Sequence, residues 1–333
     1  MGQPGQPRQT DITNDTDRKN KDLTVDLFQL ETFLMVAREG SFSRAAKKLY
    51  RTQPAISQTV RKLEDEIGEP LFARGARSGQ LTDAGRLLVG YAERILNLRD
   101  EIRRAVDDLR AGGRGELSLG VNESSIHALL PVLARYRQMY PQVHLAVRRT
   151  FSRDIPGELL NYRLDLGVAS FVPQEPQLAA IKIFRDELAF VVAPKHRLAK
   201  RGRAHLAELG EESFIAHIVE SPFRQRVIQL FAKHHVPLRM SIDLPTIESI
   251  KRFVQMDIGV AIVPRMCVRW EIEQGLLVEV KVRELRMPRD LYLLYRRREQ
   301  LSHSAKAMFD LLKPRGASSR ADAAASDPES SDI

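Results

Sequence analysis

Apolar positions along the chain follow two rhythms, and the first belongs to helices. In "DLFQLETFLMVAREG" the residues Leu27, Leu30, Phe33, Leu34 and Ala37 fall on one face of a helix, which predicts a buried helical face stopped at Gly40. "SRAAKKLY" predicts a second, short helix with Ala45, Ala46 and Leu49 inward, and its two alanines let another helix approach closely. After a break at "RT", Ile56, Val60, Leu63 and Ile67 mark the stripe of a third helix. Thr52 suits its N-cap, and Pro54 is tolerated in the first turn because its missing N–H has no partner there. "PLFARGARSGQLTDAG" then reads as two short extended runs around a glycine-containing turn.

The helical rhythm resumes without proline from Gly85 onward. Leu88, Tyr91, Ile95, Leu98, Ile102, Ala105 and Leu109 alternate steps of three and four, a heptad seam that calls for a partner helix. A single amphipathic helix packed on its own domain is the competing reading. "AGGRG" ends the run and forms a hinge.

From Glu116 the second rhythm appears. Strand patterns such as "ELSLGV", "VHLAVRRT", "LDLGVAS", "ELAFVVAP", "SFIAHIV", "RMSIDL" and "GVAIVP" alternate with helical runs. The helices are "IHALLPVLARYRQMYP", "IPGELLNYR", one near "AHLAEL", "SPFRQRVIQLFAKHH" and "TIESIKRFVQM". "LLVEVKV", "LYLLYRR" and "SAKAMFDLLK" close the chain. Such alternation predicts parallel sheets covered by helices: two α/β units joined by crossover strands, with a cleft between them.

Composition narrows the partners. The 333 residues suggest two or three domains, and the formal charge of +9 favours a polyanion, although a membrane surface also attracts base. No window reaches the length of a membrane-spanning helix, and the N-terminus lacks the apolar core of a secretory signal. Cys267 is the one cysteine, which excludes an internal disulfide, fits a reducing compartment and reads as a small apolar filler. Residues 1–24 and 314–333 read as disordered arms, and the expected location is the cytoplasm.

Charge is also distributed unevenly. Between Ser41 and Lys62 there is no acid, while Arg44, Lys47, Lys48, Arg51, Arg61 and Lys62 are all present. On the third helix Gln53, Ser57, Gln58 and Arg61 project away from the apolar stripe. Amide and guanidinium groups read base edges, and flanking cations meet phosphates. The candidate DNA contacts are therefore Ser43, Arg51, Thr52, Gln53, Pro54, Ser57, Gln58 and Arg61, with Arg74 and Arg77 at the following turn, which is like the wing of a winged helix-turn-helix. A solvated face on a basic helical bundle is the bland alternative.

The ordered run Phe33, Gly40-Ser41-Phe42-Ser43, Ala45-Ala46, Leu49, Gln53-Pro54-Ala55-Ile56-Ser57, Leu63-Glu64, Gly68, Leu71-Phe72, Arg74, Leu81-Thr82 and Ala84-Gly85 resembles the LysR-type transcriptional regulators. Pro131, Leu164-Asp165-Leu166, Gly259-Val260-Ala261 and Pro264 match the effector domain of that family, which is similar to type 2 periplasmic binding proteins. The resemblance implies that Gln53 to Arg61 lie in a major groove. It also implies a homodimer, or a tetramer of two dimers, formed through Leu88, Tyr91, Ile95, Leu98, Ile102 and Leu109.

The expected organisation follows. It is an α/β chain with a helix-dominated winged helix-turn-helix at 25–84, a linker helix at 85–112 and an effector domain at 115–313. The effector domain divides into one lobe of about 115–188 with 290–313 and a second of about 189–289. In parallel α/β domains the strand-to-helix junctions share one edge of the sheet, where ligands bind. Ser124, Ser125, Thr150, Ser170, Ser221 and Thr246 are the expected effector contacts, and exposed helix N-termini suit an anion.

Catalysis finds little support. The eight histidines are scattered, Ser125 lies two positions before His127 without a G-x-S-x-G elbow, and no P-loop or G-x-G-x-x-G appears. His234-His235 suits the dipole at a helix end rather than a metal. No metal or cofactor is expected. An enzyme or small-molecule carrier with an incidental basic N-terminal domain is the alternative, and a turnover assay separates them. The expected partners are duplex DNA carrying an interrupted inverted repeat, a small effector, a second copy of the chain and RNA polymerase, with no membrane.

Overall fold

The computed structural model describes residues 24–73, 79–110, 115–219, 221–297 and 301–314, without the side chains of 107–110. Most of both expected arms, the wing residues Arg74 and Arg77, and the side chain of Leu109 lie outside the described residues. The rest groups into two units, one ending at Arg99 and the other beginning at Asp100.

The first unit opens with α1 (Leu27–Glu39), capped by Asp26 in a reciprocal arrangement with Gln29 and closed by Gly40 at φ +58°. Ser41 caps α2 (Phe42–Lys48) and Thr52 caps α3 (Gln53–Ile67), which carries Pro54 in its first turn. Leu30, Phe33, Val36, Ala45, Ile56 and Leu63 form the core between these helices. Phe72 packs against the rings of Phe33 and Phe42, with centroids 5.6 and 5.2 Å away. The Glu64 carboxylate accepts from the N–H groups of Leu71 and Phe72 at 2.7 and 3.2 Å, which ties α3 to the strand pair Phe72–Leu81.

Helix α4 (Asp83–Arg110) is continuous. It leaves the core through a tight contact: a Cβ at Gly85 would collide with the carbonyl oxygen of Leu71. The predicted seam needs one correction. Leu88 packs against the winged-helix core with Val89 and Leu96, whereas Leu87, Tyr91, Ile95, Leu98 and Ile102 are exposed. The open apolar stripe therefore starts at Leu87. Both faces of α4 are apolar in this stretch, so spacing alone does not separate the seam from the anchor.

The second unit contains β1 (Glu116–Val121), α5 (Ile126–Met139), β2 (His144–Arg149), α6 (Ile155–Leu160), β3 (Leu166–Ala169) and β4 (Leu178–Val192). It continues through β5 (Arg203–Ala204), β6 (Ser213–His217), α7 (Pro222–Lys233), β7 (Arg239–Leu244), α8 (Ile247–Gln255) and β8 (Ala261–Pro264). It ends with α9 (Arg269–Glu273), β9 (Val278–Val282), β10 (Pro288–Arg296) and α10 (His303–Leu312). The main sheet runs β2-β1-β3-β10-β4-β9-β5, with β8 also on β4, while β6 and β7 form a separate parallel pair.

Strand β4 links two apolar regions. From Leu178 to Glu187 it pairs with β10, and from Leu188 it pairs with β8 and β9. Leu188, Phe190 and Val192 enter one cluster with Phe214 and Phe231, while the alternate Ala189 and Val191 enter another with Ile250 and Val263. A third cluster joins β1, β3, α5 and α10 through Leu119, Val168, Leu129 and Met308.

Two expectations change here. The strand expected at "ELAFVVAP" begins earlier, at Leu178, because the exposed Lys182 and Arg185 interrupt the apolar pattern while their backbone still pairs with β10. The helix expected near "AHLAEL" is a 3-10 helix over Leu206–Glu211.

Candidate functional site

Two surfaces concern function, one on each unit. On α3 the apolar stripe of Ile56, Val60 and Leu63 is buried, which leaves Gln53, Pro54, Gln58 and Arg61 exposed and Ser57 half-buried. The Gln53 amide donates to Ser57 Oγ at 2.9 Å, so these two polar groups are pre-oriented together. Arg51 is exposed and stacks over the Phe28 ring at 5.9 Å, and Ser43 is exposed on α2. The Thr52 hydroxyl accepts from Ala55 N–H at 3.4 Å and is thereby committed to the cap. The acid-free stretch is not unopposed: Glu39 lies 2.7 Å from Lys48 and 3.7 Å from Arg44. That leaves Lys47, Arg51, Arg61 and Lys62 as the more available cations.

The second surface is a cleft of about 840 Å³ in the second unit. Its walls are the residues just past the C-terminal ends of β1, β2, β3 and β6, together with the starts of α7 and α8. Parallel strands bring their carboxyl ends to a common edge, so a concavity forms there. Ser124, Thr150, Ser170 and Ser221 line it as expected.

Two expected contacts lie elsewhere. Ser125 is fully buried at the start of α5 and does not line the cleft. Thr246 caps α8: its Oγ1 accepts from Ser249 N–H at 3.1 Å and shares a hydrogen with Ser249 Oγ at 2.7 Å. Ser221 is also a cap, accepting from Arg224 N–H at 3.2 Å. Helix-start hydroxyls serve the helix first.

The cleft's charged groups were not singled out by sequence. Glu123 in "NESS" reaches across to the N–H of Ile247 at 2.7 Å, and its other oxygen lies 3.2 Å from Arg149 and 3.4 Å from His217. Arg289 on β10 donates to Ser124 Oγ at 2.6 Å and stacks over Phe223 at 5.5 Å. Its nearest acid is Asp186, 3.5 Å away. Burial lowers the Arg289 pKa and raises that of Asp186 against their mutual attraction. Arg149 and Glu123 flank strand ends and were in principle discoverable. Arg289, 165 positions from Ser124, carried no local signal.

Cys267 lies beside this region with its Sγ 3.6 Å from the Ser124 carbonyl oxygen. Burial pushes its thiol up to about 12, so it is a neutral filler rather than a thiolate.

Comparison with known proteins fits this pair of surfaces. Residues 27–86 match the bacterial regulatory helix-turn-helix protein of the lysR family, and residues 110–317 match the LysR substrate binding domain. A protein of Emiliania huxleyi described as "Probable RuBisCO transcriptional regulator" is 34% identical over 280 residues, covering 82% of this chain and 89% of its own. The crystal structure of full-length CbnR with its target DNA superposes with a TM-score of 0.66 at 22% identity, covering 86% of this chain and 99% of that one. The regulatory domain of Synechocystis CcmR in complex with 2-PG superposes with a TM-score of 0.53 at 24% identity, covering 59% of this chain and 95% of that domain.

Proposed function

This chain belongs to the LysR family of transcriptional regulators, and from that premise we propose that α3 reads an interrupted inverted repeat while an anionic metabolite in the cleft modulates the response. The observation that carries the effector reading is the cleft's charge: among the described residues Arg149, Arg153, Arg224 and Arg289 line it, and Glu123 is the one acid that does. Arginine forks match carboxylate and phosphate oxygens geometrically. Ser170 adds a hydroxyl, while the Ser124 hydroxyl donates to Asn122 and that of Thr150 to the Arg148 carbonyl oxygen.

For DNA, Gln53, Ser57, Gln58 and Arg61 supply base contacts, with Ser43, Arg51, Thr52 and Pro54 beside the backbone and Arg74 and Arg77 in the wing. Dimerisation follows from the exposed stripe of Tyr91, Ile95, Leu98 and Ile102, because an apolar helix face of this length is covered in a stable protein. A two-fold dimer favours a two-fold operator. RNA polymerase is the partner through which such binding changes transcription, and the cytoplasm is where they meet.

Genome-wide mapping of bound DNA tests the reading. The expected result is a set of sites sharing an interrupted inverted repeat, and regions upstream of RuBisCO genes are the first to inspect, given the relatives. Footprints on those sites should shift with a small anion, for which 2-PG is the first probe. Bound sites sharing no repeat would overturn the DNA assignment. Footprints unmoved by any metabolite of the pathway the targets encode would overturn the effector assignment.

A further inference from the structure

The carboxylate of Glu123 sits where a ligand would. Groups from three separate elements converge on it: the Ile247 N–H opening α8 and Arg149 ending β2 donate to it at 2.7 and 3.2 Å, and the imidazole Nε2 of His217, ending β6, stands 3.4 Å away with no hydrogen bond of its own. All three line the cleft. Thr246 caps α8 at the Ser249 N–H, which leaves the Ile247 N–H of the same first turn to Glu123. Glu123 itself comes from the turn after β1, 124 positions away from Ile247. A helix start, a guanidinium and an imidazole gathered on one acid is the arrangement by which proteins hold a bound anion.

A second feature of the same cleft points the same way. The Arg289 side chain is 4% exposed, its Nε has no hydrogen-bond partner, and its Nη1 has only Asp186 at 3.5 Å. A buried cation with unused donors on the wall of a cleft is costly until an anion completes it.

We infer that Ile247 N–H, Arg149 and His217 form the anion subsite of the cleft, that Glu123 is its built-in occupant, and that a ligand enters by displacing Glu123 with its own carboxylate or phosphate group. This rests on the cleft being the effector site, but the subsite can be tested apart from regulation. Displacement also sets a selection rule. A neutral ligand gives the three groups nothing in exchange for Glu123. An anion competes against a tethered carboxylate present at high effective concentration, so its apparent affinity is reduced by the fraction of molecules in which Glu123 has swung out.

The experiment empties the subsite in the full-length protein. Glu123→Ala removes the occupant, and acetate or inorganic phosphate is then offered in its place. Each should raise the melting temperature of Glu123→Ala more than that of the parent at matched ionic strength, with chloride as the control. Calorimetry with inorganic phosphate should give binding at least about tenfold tighter in Glu123→Ala than in the parent. Adding Arg149→Gln should abolish most of that gain. A response to both anions no larger than the parent's would overturn the proposal. Should Glu123→Ala fail to fold, Glu123→Gln carries the same comparison, since it keeps the bulk and an acceptor for Ile247 N–H while losing the charge. A larger phosphate response than the parent's then supports the subsite, and an equal one sinks it. Failure of the effector reading looks different: the subsite fills as described, while no anion alters the footprint on DNA.

Discussion

Arg296, at the end of β10, holds the carboxylate of Glu101 on α4 at 2.7 Å, and both side chains are almost fully buried. The same guanidinium donates to the carbonyl oxygens of Leu159 and Leu164 at 2.7 and 2.8 Å and stacks over Tyr162 at 4.6 Å. One residue thus fastens the C-terminal part of the linker helix to the loop after α6. Arg296→Met should destabilise the second unit by about 3–5 kcal/mol, because it strands a buried carboxylate. Glu101→Gln, which keeps an acceptor, should cost less. Urea melts of the two variants check the order, and equal losses would show that the pair acts through packing alone.

Acid should favour this joint. Burial raises the pKa of Glu101 and of nearby Asp165, despite Arg296 opposing it in both, so the native state holds their protons more tightly than the unfolded chain. Their contribution to stability is therefore greatest at low pH and declines as pH rises from ordinary carboxylate values through the native ones. Asp165→Asn keeps an acceptor for the Ser118 N–H, now 2.7 Å from the carboxylate. The variant should gain on the parent as pH rises above the ordinary carboxylate range. Parallel pH profiles for the two proteins would contradict this.

Two substitutions on one helix should fail in different ways. Ile95 lies on the exposed stripe of α4, whereas Leu88 packs against the winged-helix core. Ile95→Asp should halve the sedimenting mass while the monomer stays folded, because like charges meet at the seam. Leu88→Asp should instead lower the melting temperature of the first unit, through a buried charge. An unchanged mass for Ile95→Asp removes the seam from α4.

On DNA, Gln58→Ala or Arg61→Ala should cost about 1–3 kcal/mol on the true operator and relax specificity there. Arg51→Ala should weaken all duplexes alike and flatten the salt slope by about one. Binding isotherms on operator and scrambled duplexes across a salt series separate the two effects.

Local chemistry made the helices readable. Asp26, Ser41, Thr52, Ser221 and Thr246 all cap the helices they precede, and sequence inspection had not assigned that role to Asp26 or Ser41. What was not readable depends on distance along the chain or on a choice between equals. Leu87 and Leu88 are both apolar neighbours on α4, and only the packing of the winged-helix core decides which one turns inward. The first half of β4 hides because Lys182 and Arg185 interrupt its apolar pattern while its backbone is satisfied by β10. Glu123 with Ile247, and Arg289 with Ser124, meet only once the chain has folded.

The double membership of β4 bears on how the second unit comes apart. Its first half packs through Ile181, Ile183 and Phe184 on the cluster of Leu119 and Val168, its second half through Leu188 and Phe190 on that of Phe214 and Phe231, and the two halves pair with different strands. Loss of one cluster would leave half of the strand bonded and half bare, a species with a physical basis for persisting. Heating the full chain should therefore depart from an all-or-none transition, with a calorimetric enthalpy exceeding the van't Hoff value beyond what separate melting of the first unit explains. Deuterium exchange would divide β4 near Glu187 and Leu188, where one backbone strand carries two rates of opening.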